Sequence, residues 1–311
     1  MSSGQLLRMI IIGTLLAVLG SAPVFSSQAS PLVVATFFPV FDFARRIGEG
    51  RAQVQILVRA GLEPHDFEPT VQDVETIAAA ALFIYHGSGI ENPWVDPLLQ
   101  AGTLDPARQV IVETTRGLRK DGLLLAAPEP DAAVLRSDPH LWLDPVLAQE
   151  LVNATENGFI ALDPAGRESY EDHARALRRE LAQLDSEIRQ ALASCQRQEL
   201  VISHRFLDYF AERYGLTVVA AAGLEPAEPT IEQLESVIAF ARQRRLRFVF
   251  AETLLEAELT GVQTVADVVG AQVLTLSSLE GLRPEEQARG ADYFAVMRQN
   301  LQHLRIGLEC S

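Results

Sequence analysis

Short apolar runs alternate with helical patterns along most of this chain. Residues 32–37 and 81–85 have the continuous apolar character of buried strands, and helical patterns over residues 41–47 and 71–80 lie between them. Strands that show little polar alternation and are separated by helices are typical of parallel sheets covered on both faces. The same alternation resumes near residue 200. The sequence therefore predicts an α/β fold with two domains, each built on a mainly parallel sheet.

One long segment between these halves has a different pattern. Its apolar residues recur at steps of three or four and form one helical stripe: Tyr170, Ala174, Leu177, Leu181, Leu184, Ile188 and Leu192. Asp163 and Pro164 provide a capping side chain and a first-turn proline, and no Gly or Pro follows Gly166 within the segment. About 30 helical residues would extend roughly 45 Å. We interpret the segment as a single rigid helix that joins the domains.

The predicted division of the chain has four parts. Residues 1–29 form a signal peptide, residues 30–162 an N-terminal α/β domain, residues 163–195 the long linking helix, and residues 196–311 a C-terminal α/β domain. Open α/β sheets bind ligands beyond the carboxyl ends of their strands. A site shared by both domains would therefore lie in the cleft between them.

The first 29 residues have the pattern of a secretory signal peptide. Arg8 supplies a positive flank, residues 9–19 are an apolar stretch, and Ser27 and Ala29 are small residues where a signal peptidase would cleave. The apolar stretch is shorter than the roughly 20 residues that span a bilayer, although an uncleaved anchor is the alternative. No cysteine lies near the cleavage position. The sequence predicts a soluble, exported protein that is not a lipoprotein.

The net charge and the cysteine content limit which partners and which kinds of metal site are expected. The chain has 26 basic and 41 acidic side chains, a formal net charge of −15, so we expect neither nucleic acid nor anionic lipid as a partner. Cys195 and Cys310 are the two cysteines. An even pair in an oxidising compartment favours a disulfide, with two unlinked thiols as the alternative. Neither cysteine belongs to a C-x-x-C motif, so a cysteine-based zinc site is not indicated.

Three histidines and one glutamate are the candidate metal ligands. They are His65, His140, His204 and Glu280, separated by 75, 64 and 76 residues, and each is expected just beyond an apolar strand-like run. A lone histidine in a loop is more often a solvent-exposed or hydrogen-bonded residue than a metal ligand. Three of six histidines at predicted strand ends, together with a carboxylate, form a donor set that suits a first-row divalent metal and zinc best. We therefore predict a metal site between the domains.

Other polar residues are weaker candidates. Glu252 ends a predicted strand, and we expect it to face the same cleft and to hydrogen-bond a ligand histidine. His86 also follows a strand but has no neighbouring motif. His173 and His303 lie in predicted helices and are expected at the surface. Water as a fourth ligand in place of Glu280 is an alternative.

Five motifs together resemble one known family, the metal-specific solute-binding proteins of zinc and manganese ABC transporters. The motifs are Gly61-Leu62-Glu63-Pro64-His65-Asp66-Phe67-Glu68-Pro69, Asp138-Pro139-His140-Leu141-Trp142-Leu143-Asp144-Pro145, Ser203-His204, Leu279-Glu280-Gly281-Leu282, and Gly290-Ala291-Asp292-Tyr293-Phe294 followed by Met297-Arg298-Gln299-Asn300-Leu301. The resemblance covers the whole mature length. It implies two α/β domains bridged by a long helix, with metal bound at the four candidate ligands.

The resemblance also bears on which metal is bound. Members that favour manganese usually carry a glutamate where this chain has His204, and an aspartate in the last segment. Imidazole suits zinc, whereas a larger share of carboxylate suits manganese. The third histidine therefore indicates Zn²⁺, with Mn²⁺ as the alternative.

Two features depart from the family pattern. Many zinc-binding members have a long loop rich in His and Asp before the second ligand, but residues 119–137 contain no histidine here. Many Gram-positive relatives are lipoproteins, whereas this chain lacks the required cysteine. We therefore expect a free protein in a Gram-negative periplasm, without a metal-collecting loop.

The resulting hypothesis is a periplasmic protein, expected as a monomer, that captures zinc and delivers it to an inner-membrane ABC permease. It would not be an enzyme. A secreted zinc hydrolase is the rival from another class, but it needs an open coordination position and a general base. The chain has no H-E-x-x-H motif, and Glu252 is the one residue that could act as that base. Surface adhesion has no residue-level support.

Overall fold

Two four-stranded parallel sheets organise the chain. The computed structural model describes residues 30–127, 137–254 and 256–311, so the predicted signal peptide lies outside the described residues. The first sheet contains β1 (Leu32–Ala35), β2 (Gln53–Ile56), β3 (Leu82–Tyr85) and β4 (Val110–Glu113). Its strand order is β2-β1-β3-β4, and all its pairs are parallel.

The second sheet repeats this architecture. It contains β5 (Glu199–Ile202), β6 (Thr217–Ala220), β7 (Phe248–Glu252) and β8 (Gln272–Leu276). Its order, β6-β5-β7-β8, matches that of the first sheet strand for strand, and its pairs are also parallel. The predicted fold class is therefore confirmed. The exact domain boundaries remain a prediction.

Helices connect and cover the strands. In the first half they are α1 (Phe38–Ile47), α2 (Val71–Ala79), α3 (Asn92–Gln100), α4 (Arg116–Lys120) and α5 (Pro145–Leu162). In the second half they are α7 (Asp208–Tyr214), α8 (Ile231–Arg244), α9 (Glu256–Val269), α10 (Pro284–Ala288) and α11 (Tyr293–Gly307). Local sequence fixes several starts: Thr70 and Thr230 form capping boxes with the third residue of α2 and α8.

The long helix between the halves is α6, Arg167–Leu192, with 26 residues. It begins later than predicted, because Pro164–Gly166 forms a separate 3₁₀ turn. The Asp163 carboxylate accepts hydrogen bonds from Arg51 and Tyr170 and caps no helical N–H. The predicted apolar stripe is buried from Tyr170 to Ile188, and Leu192 is only partly buried. The stripe packs against α1, α5 and α11, so α6 contacts both halves of the molecule.

Ion pairs also connect the halves. Arg46 on α1 lies 3.1 Å from the Glu180 carboxylate on α6 and 2.6 Å from the Asp292 carboxylate, which caps α11. Arg298 on α11 lies 2.9 Å from Glu187 on α6. These pairs and the apolar core they border tie α11 to the linking helix and to the first half.

The predicted disulfide between Cys195 and Cys310 is confirmed. It joins the segment before β5 to the residues after α11, a separation of 115 residues. It therefore lies near the amino end of β5, at the opposite edge of the sheet from the predicted ligands. Within the described ranges, no helix combines the length and apolar character needed to cross a bilayer.

Candidate metal centre

Side chains from both halves converge on the carboxylate of Glu280. His65 Nε2 lies 2.9 Å from Glu280 Oε1, and His140 Nε2 lies 3.1 Å from the same oxygen. The possible ligand atoms of these three residues all lie within 4.8 Å of one another. His204 approaches from the other side, with Nε2 3.9 Å from Glu280 Oε2. The four side chains are at most 4% exposed.

The loop after β2 carries His65 and rests on the segment that carries Glu280. Gly61 adopts a φ of +81° and donates its N–H to the carbonyl of Leu282 at 2.9 Å. Glycine adopts this left-handed conformation without a Cβ penalty. The backbone hydrogen bond therefore fixes the His65 loop against the second half of the molecule.

An acid–Pro–His turn occurs twice and presents two of the histidines. Glu63 Oε1 accepts the backbone N–H of His65 at 3.0 Å, and Asp138 Oδ1 accepts that of His140 at 2.9 Å. An acidic side chain that bonds the backbone two residues later is a local turn stabiliser. The same short sequence pattern therefore sets the backbone at both histidines.

Asp138 also orients the His140 ring. Its Oδ1 lies 2.8 Å from His140 Nδ1, so the ring donates Nδ1–H to Asp138 and directs Nε2 toward Glu280. A carboxylate behind a ligand histidine fixes its tautomer and increases its basicity. The sequence pattern did not identify this function of Asp138.

His140 follows residues 128–136, which lie outside the described residues, so the expectation that it follows a strand stays a prediction. It precedes a 3₁₀ turn, Leu141–Leu143, which leads into α5. Two side chains hold this segment: His86 Nε2 donates to Pro139 O at 2.8 Å, and Trp142 Nε1 donates to Ser278 O at 2.7 Å. Tertiary hydrogen bonds therefore position His140.

The segment after β8 places Glu280. Leu279 has a φ of +62°, which is uncommon for a residue other than glycine, asparagine or aspartate. The Ser278 hydroxyl donates to Glu280 Oε2 at 2.8 Å, and the Ser278 N–H donates to Glu252 Oε1 at 3.2 Å. The strained residue is thus held between two hydrogen-bonded neighbours, as is common at functional sites.

Glu252 and the remaining histidines lie at different distances from the site. Glu252 is buried at the end of β7, and its proposed hydrogen bond to a ligand histidine remains a prediction. His86 is fully buried under the His140 segment. His173 and His303 are half-buried and bond backbone carbonyls, of Ile47 and Thr275. They belong to α6 and α11, not to the ligand loops.

Burial and close polar contacts shift the pKa values of His140 and Glu280 in opposite directions. Burial lowers the pKa of His140, but hydrogen bonds to Asp138 and Glu280 outweigh it and raise the pKa to about 10. Burial alone would raise the pKa of Glu280, yet contacts with His140 and His65 hold it well below the usual value. Both shifts favour the charged forms of the two side chains, and a metal ion binds His140 Nε2 only when this nitrogen carries no proton.

The donor spacing fits a single ion. Tetrahedral ligands at about 2.0–2.1 Å from zinc lie about 3.3 Å from one another. The two separations from Glu280 Oε1, 2.9 and 3.1 Å, lie close to that value. Three imidazoles and one carboxylate also have the chemistry that zinc prefers.

Comparison with known proteins identifies the family. The family described as "Zinc-uptake complex component A periplasmic" matches residues 33–307. The chain belongs to this family. It is 31% identical over 285 residues to the high-affinity zinc uptake system protein ZnuA of Bacillus subtilis (strain 168), which covers 89% of this chain and 87% of that protein. The predicted family resemblance is therefore confirmed.

Two further similarities concern the pneumococcal protein AdcA. The chain is 31% identical over 283 residues to the zinc-binding lipoprotein AdcA of Streptococcus pneumoniae (strain ATCC BAA-255 / R6), which covers 88% of this chain but 55% of that protein. The crystal structure of the Zn(II)-bound ZnuA-like domain of AdcA superposes with a TM-score of 0.75 and 29% identity, over 90% of this chain and all of that domain. This family member thus spans about half the length of AdcA.

Proposed function

We propose that this protein binds one Zn²⁺ ion through His65, His140, His204 and Glu280. The observation that carries the proposal is the convergence of two imidazole Nε2 atoms on Glu280 Oε1, with a third imidazole 3.9 Å from the other oxygen. The set is buried and draws on both halves. Membership of a zinc-uptake family supports zinc as the cargo.

The cargo is delivered to an ABC permease of the inner membrane. The protein acts as a monomer in the periplasm, after cleavage of residues 1–29, and carries no lipid anchor. The family description as a periplasmic component supports the location, and the absence of cysteine near the cleavage position supports the absence of a lipid anchor.

Release proceeds by movement of a ligand loop and leaves the halves in place. The ion pairs of Arg46 and Arg298 hold α11, α6 and α1 together, which opposes wide hinge opening. The His65 loop is a surface element, and its Leu62 side chain is 46% exposed. This loop is therefore the element that a docked permease moves.

Binding, not catalysis, fits the donor set. A zinc hydrolase keeps one coordination position open for water. Four protein donors fill a tetrahedral shell, so no position remains for an attacking water. Turnover of ester or peptide substrates by the zinc-loaded protein would contradict this assignment.

Calorimetric zinc titration of His140→Ala tests the binding proposal. Loss of groups that merely support a ligand costs 10- to 100-fold in metal affinity, so loss of His140 itself should cost more than about 100-fold. His173→Ala is the matched control, because His173 lies on α6 and bonds Ile47 O. Equal zinc affinity in His140→Ala and the wild type would contradict the proposed site.

Competition between zinc and manganese tests the cargo. Three imidazoles should favour Zn²⁺ over Mn²⁺ by a large margin, because Mn²⁺ prefers oxygen donors. Elemental analysis of protein purified without added metal, followed by zinc titration in the presence of excess manganese, gives the ranking. Preferential retention of manganese would favour the alternative cargo.

A further inference from the structure

The two oxygens of Glu280 have different surroundings. Oε1 faces His65 Nε2 and His140 Nε2 at 2.9 and 3.1 Å. Oε2 accepts the hydroxyl of Ser278 at 2.8 Å. His204 Nε2 lies 3.9 Å from Oε2, so this oxygen borders the same group of imidazoles. The Ser278 hydroxyl therefore competes with a metal ion for one of the two carboxylate oxygens.

Ser278 is itself held firmly. It is fully buried, and its N–H donates to Glu252 Oε1 at 3.2 Å. Its carbonyl accepts the indole N–H of Trp142 at 2.7 Å, and its hydroxyl oxygen accepts the N–H of Glu280 at 3.3 Å. All the polar atoms of Ser278 are thus engaged. The hydroxyl also lies 3.3 Å from Glu252 Oε1, but its shorter contact, at 2.8 Å, is with Glu280 Oε2.

The number of carboxylate oxygens on the ion affects metal choice. Zinc in a closed site takes four donors, which three imidazoles and a single oxygen provide. Manganese prefers oxygen-rich, octahedral sites, and a carboxylate that binds through both oxygens adds the kind of donor that manganese favours.

We propose that Ser278 is a specificity-determining residue, whose hydroxyl holds Glu280 Oε2 away from the ion so that Glu280 coordinates through Oε1 alone. The site then stays four-coordinate and favours zinc over manganese. This inference rests on the proposed zinc-binding function and adds a residue outside the ligand set.

Ser278→Ala tests the inference, with Ser277→Ala as a matched control. Both serines are buried neighbours in the same segment, but the Ser277 hydroxyl accepts the N–H of Leu279 at 3.1 Å. Zinc and manganese dissociation constants are measured for the wild type and both variants by competition with a chelating dye. Ser278→Ala should reduce the zinc-to-manganese preference by about tenfold or more, whereas Ser277→Ala keeps the wild-type ratio.

Cobalt(II) supplies a second readout, because its visible absorption weakens as the coordination number rises above four. The wild type and Ser277→Ala should give the intense band of a four-coordinate ion, and Ser278→Ala a weaker one. Ser278→Thr retains a hydroxyl and should restore both the band and the ratio. A crystal structure of the zinc-loaded wild type gives an independent check, with Oε2 expected within hydrogen-bond distance of Ser278 Oγ and outside the zinc shell.

The outcomes separate this inference from the proposed function. A wild-type ratio and a wild-type cobalt band in folded Ser278→Ala would overturn the inference and leave zinc binding intact. Two-oxygen coordination by Glu280 in the zinc-loaded wild type would do the same. A wild type that binds neither zinc nor cobalt would overturn both proposals.

Discussion

Each half of the molecule has a buried polar side chain at the carboxyl end of the third strand in its sheet. His86 follows β3, the third strand of the order β2-β1-β3-β4, and Glu252 ends β7, the third strand of β6-β5-β7-β8. Each contacts a segment that carries a ligand: His86 bonds Pro139 O beside His140, and Glu252 bonds Ser278 N near Glu280. We refer to these two residues as the anchors.

The anchors differ in chemistry because the neighbouring backbone differs. In the first half the neighbouring group is the Pro139 carbonyl, so the anchor is a neutral imidazole that donates a hydrogen bond. In the second half the neighbouring group is the Ser278 N–H, so the anchor is a carboxylate oxygen that accepts a hydrogen bond. Burial lowers the pKa of His86 to about 3, which keeps the imidazole neutral at neutral pH. The repeated topology therefore determines the position of each anchor, and the neighbouring backbone group determines whether the anchor is a hydrogen-bond donor or an acceptor.

The disulfide is the difference between the halves with the largest expected effect on stability. Only the second half contains it. Replacement of both cysteines by serine should lower the free energy of unfolding by about 4 kcal/mol. The reason is that a loop of 115 residues is no longer closed in the unfolded chain. Chemical denaturation measures this change. Since the disulfide lies at the edge of the sheet opposite the ligands, zinc affinity of the folded variant should stay within a few-fold of the wild type. A large loss of affinity would show that the disulfide shapes the site.

Loss of the second anchor should reduce zinc binding substantially. Glu252→Ala removes the acceptor of the Ser278 N–H and frees the segment that carries Glu280, so we expect zinc affinity to fall by about 100-fold. Zinc titration measures the fall. Glu235→Ala, at an exposed position of helix α8, is the control for the loss of one carboxylate. Unchanged affinity in Glu252→Ala would show that Glu280 is positioned without its anchor.

The first anchor should make the metal-free protein sensitive to acid. The unfolded chain binds a proton at His86 below a pH of about 6.5, whereas the folded protein binds it only near pH 3, so the unfolded state is favoured as the pH falls through this window. At pH 5 this group should cost about 2 kcal/mol of stability relative to pH 7.5. Denaturation of wild type and His86→Gln at both pH values measures the difference. An equal loss in both proteins would exclude His86 as the cause.

The same anchor should have a smaller effect on zinc affinity. His86→Phe keeps a ring beside Trp142 and Phe37 but removes the donor to Pro139 O, so we expect about tenfold weaker zinc binding at pH 7.5. His86→Gln retains an N–H donor and should remain closer to the wild type. Equal affinity of the Phe variant and the wild type would mean that Asp138 alone positions His140.

The sequence predicted most of the elements but not all of them. The strands were recognisable because parallel strands buried on both faces are continuously apolar. Helices α3 and α5 were not predicted, nor were the five-residue helices α4 and α10. Helix α3 contains an internal Pro97, and α5 buries residues from Pro145 to Ile160 around much of its surface, so neither of these two shows a clean apolar stripe.

The ligand candidates were also visible in the sequence, whereas their supports were not. His65, His140 and Glu280 carry recognisable residue types in loops, and the structure brings them together. The hydrogen bonds of Asp138, His86 and Ser278 depend on contacts between distant segments, which sequence patterns do not specify. The repeated acid–Pro–His pattern was the one local sign of the function of Asp138.

We propose that one zinc ion is held between the halves by ligands from both. Anomalous diffraction at the zinc absorption edge, from crystals of protein loaded with one equivalent of zinc, tests it most directly. The claim predicts a single strong peak bounded by the Nε2 atoms of His65, His140 and His204 and by Oε1 of Glu280. A peak coordinated by residues of one half alone, or elsewhere on the molecule, would contradict it.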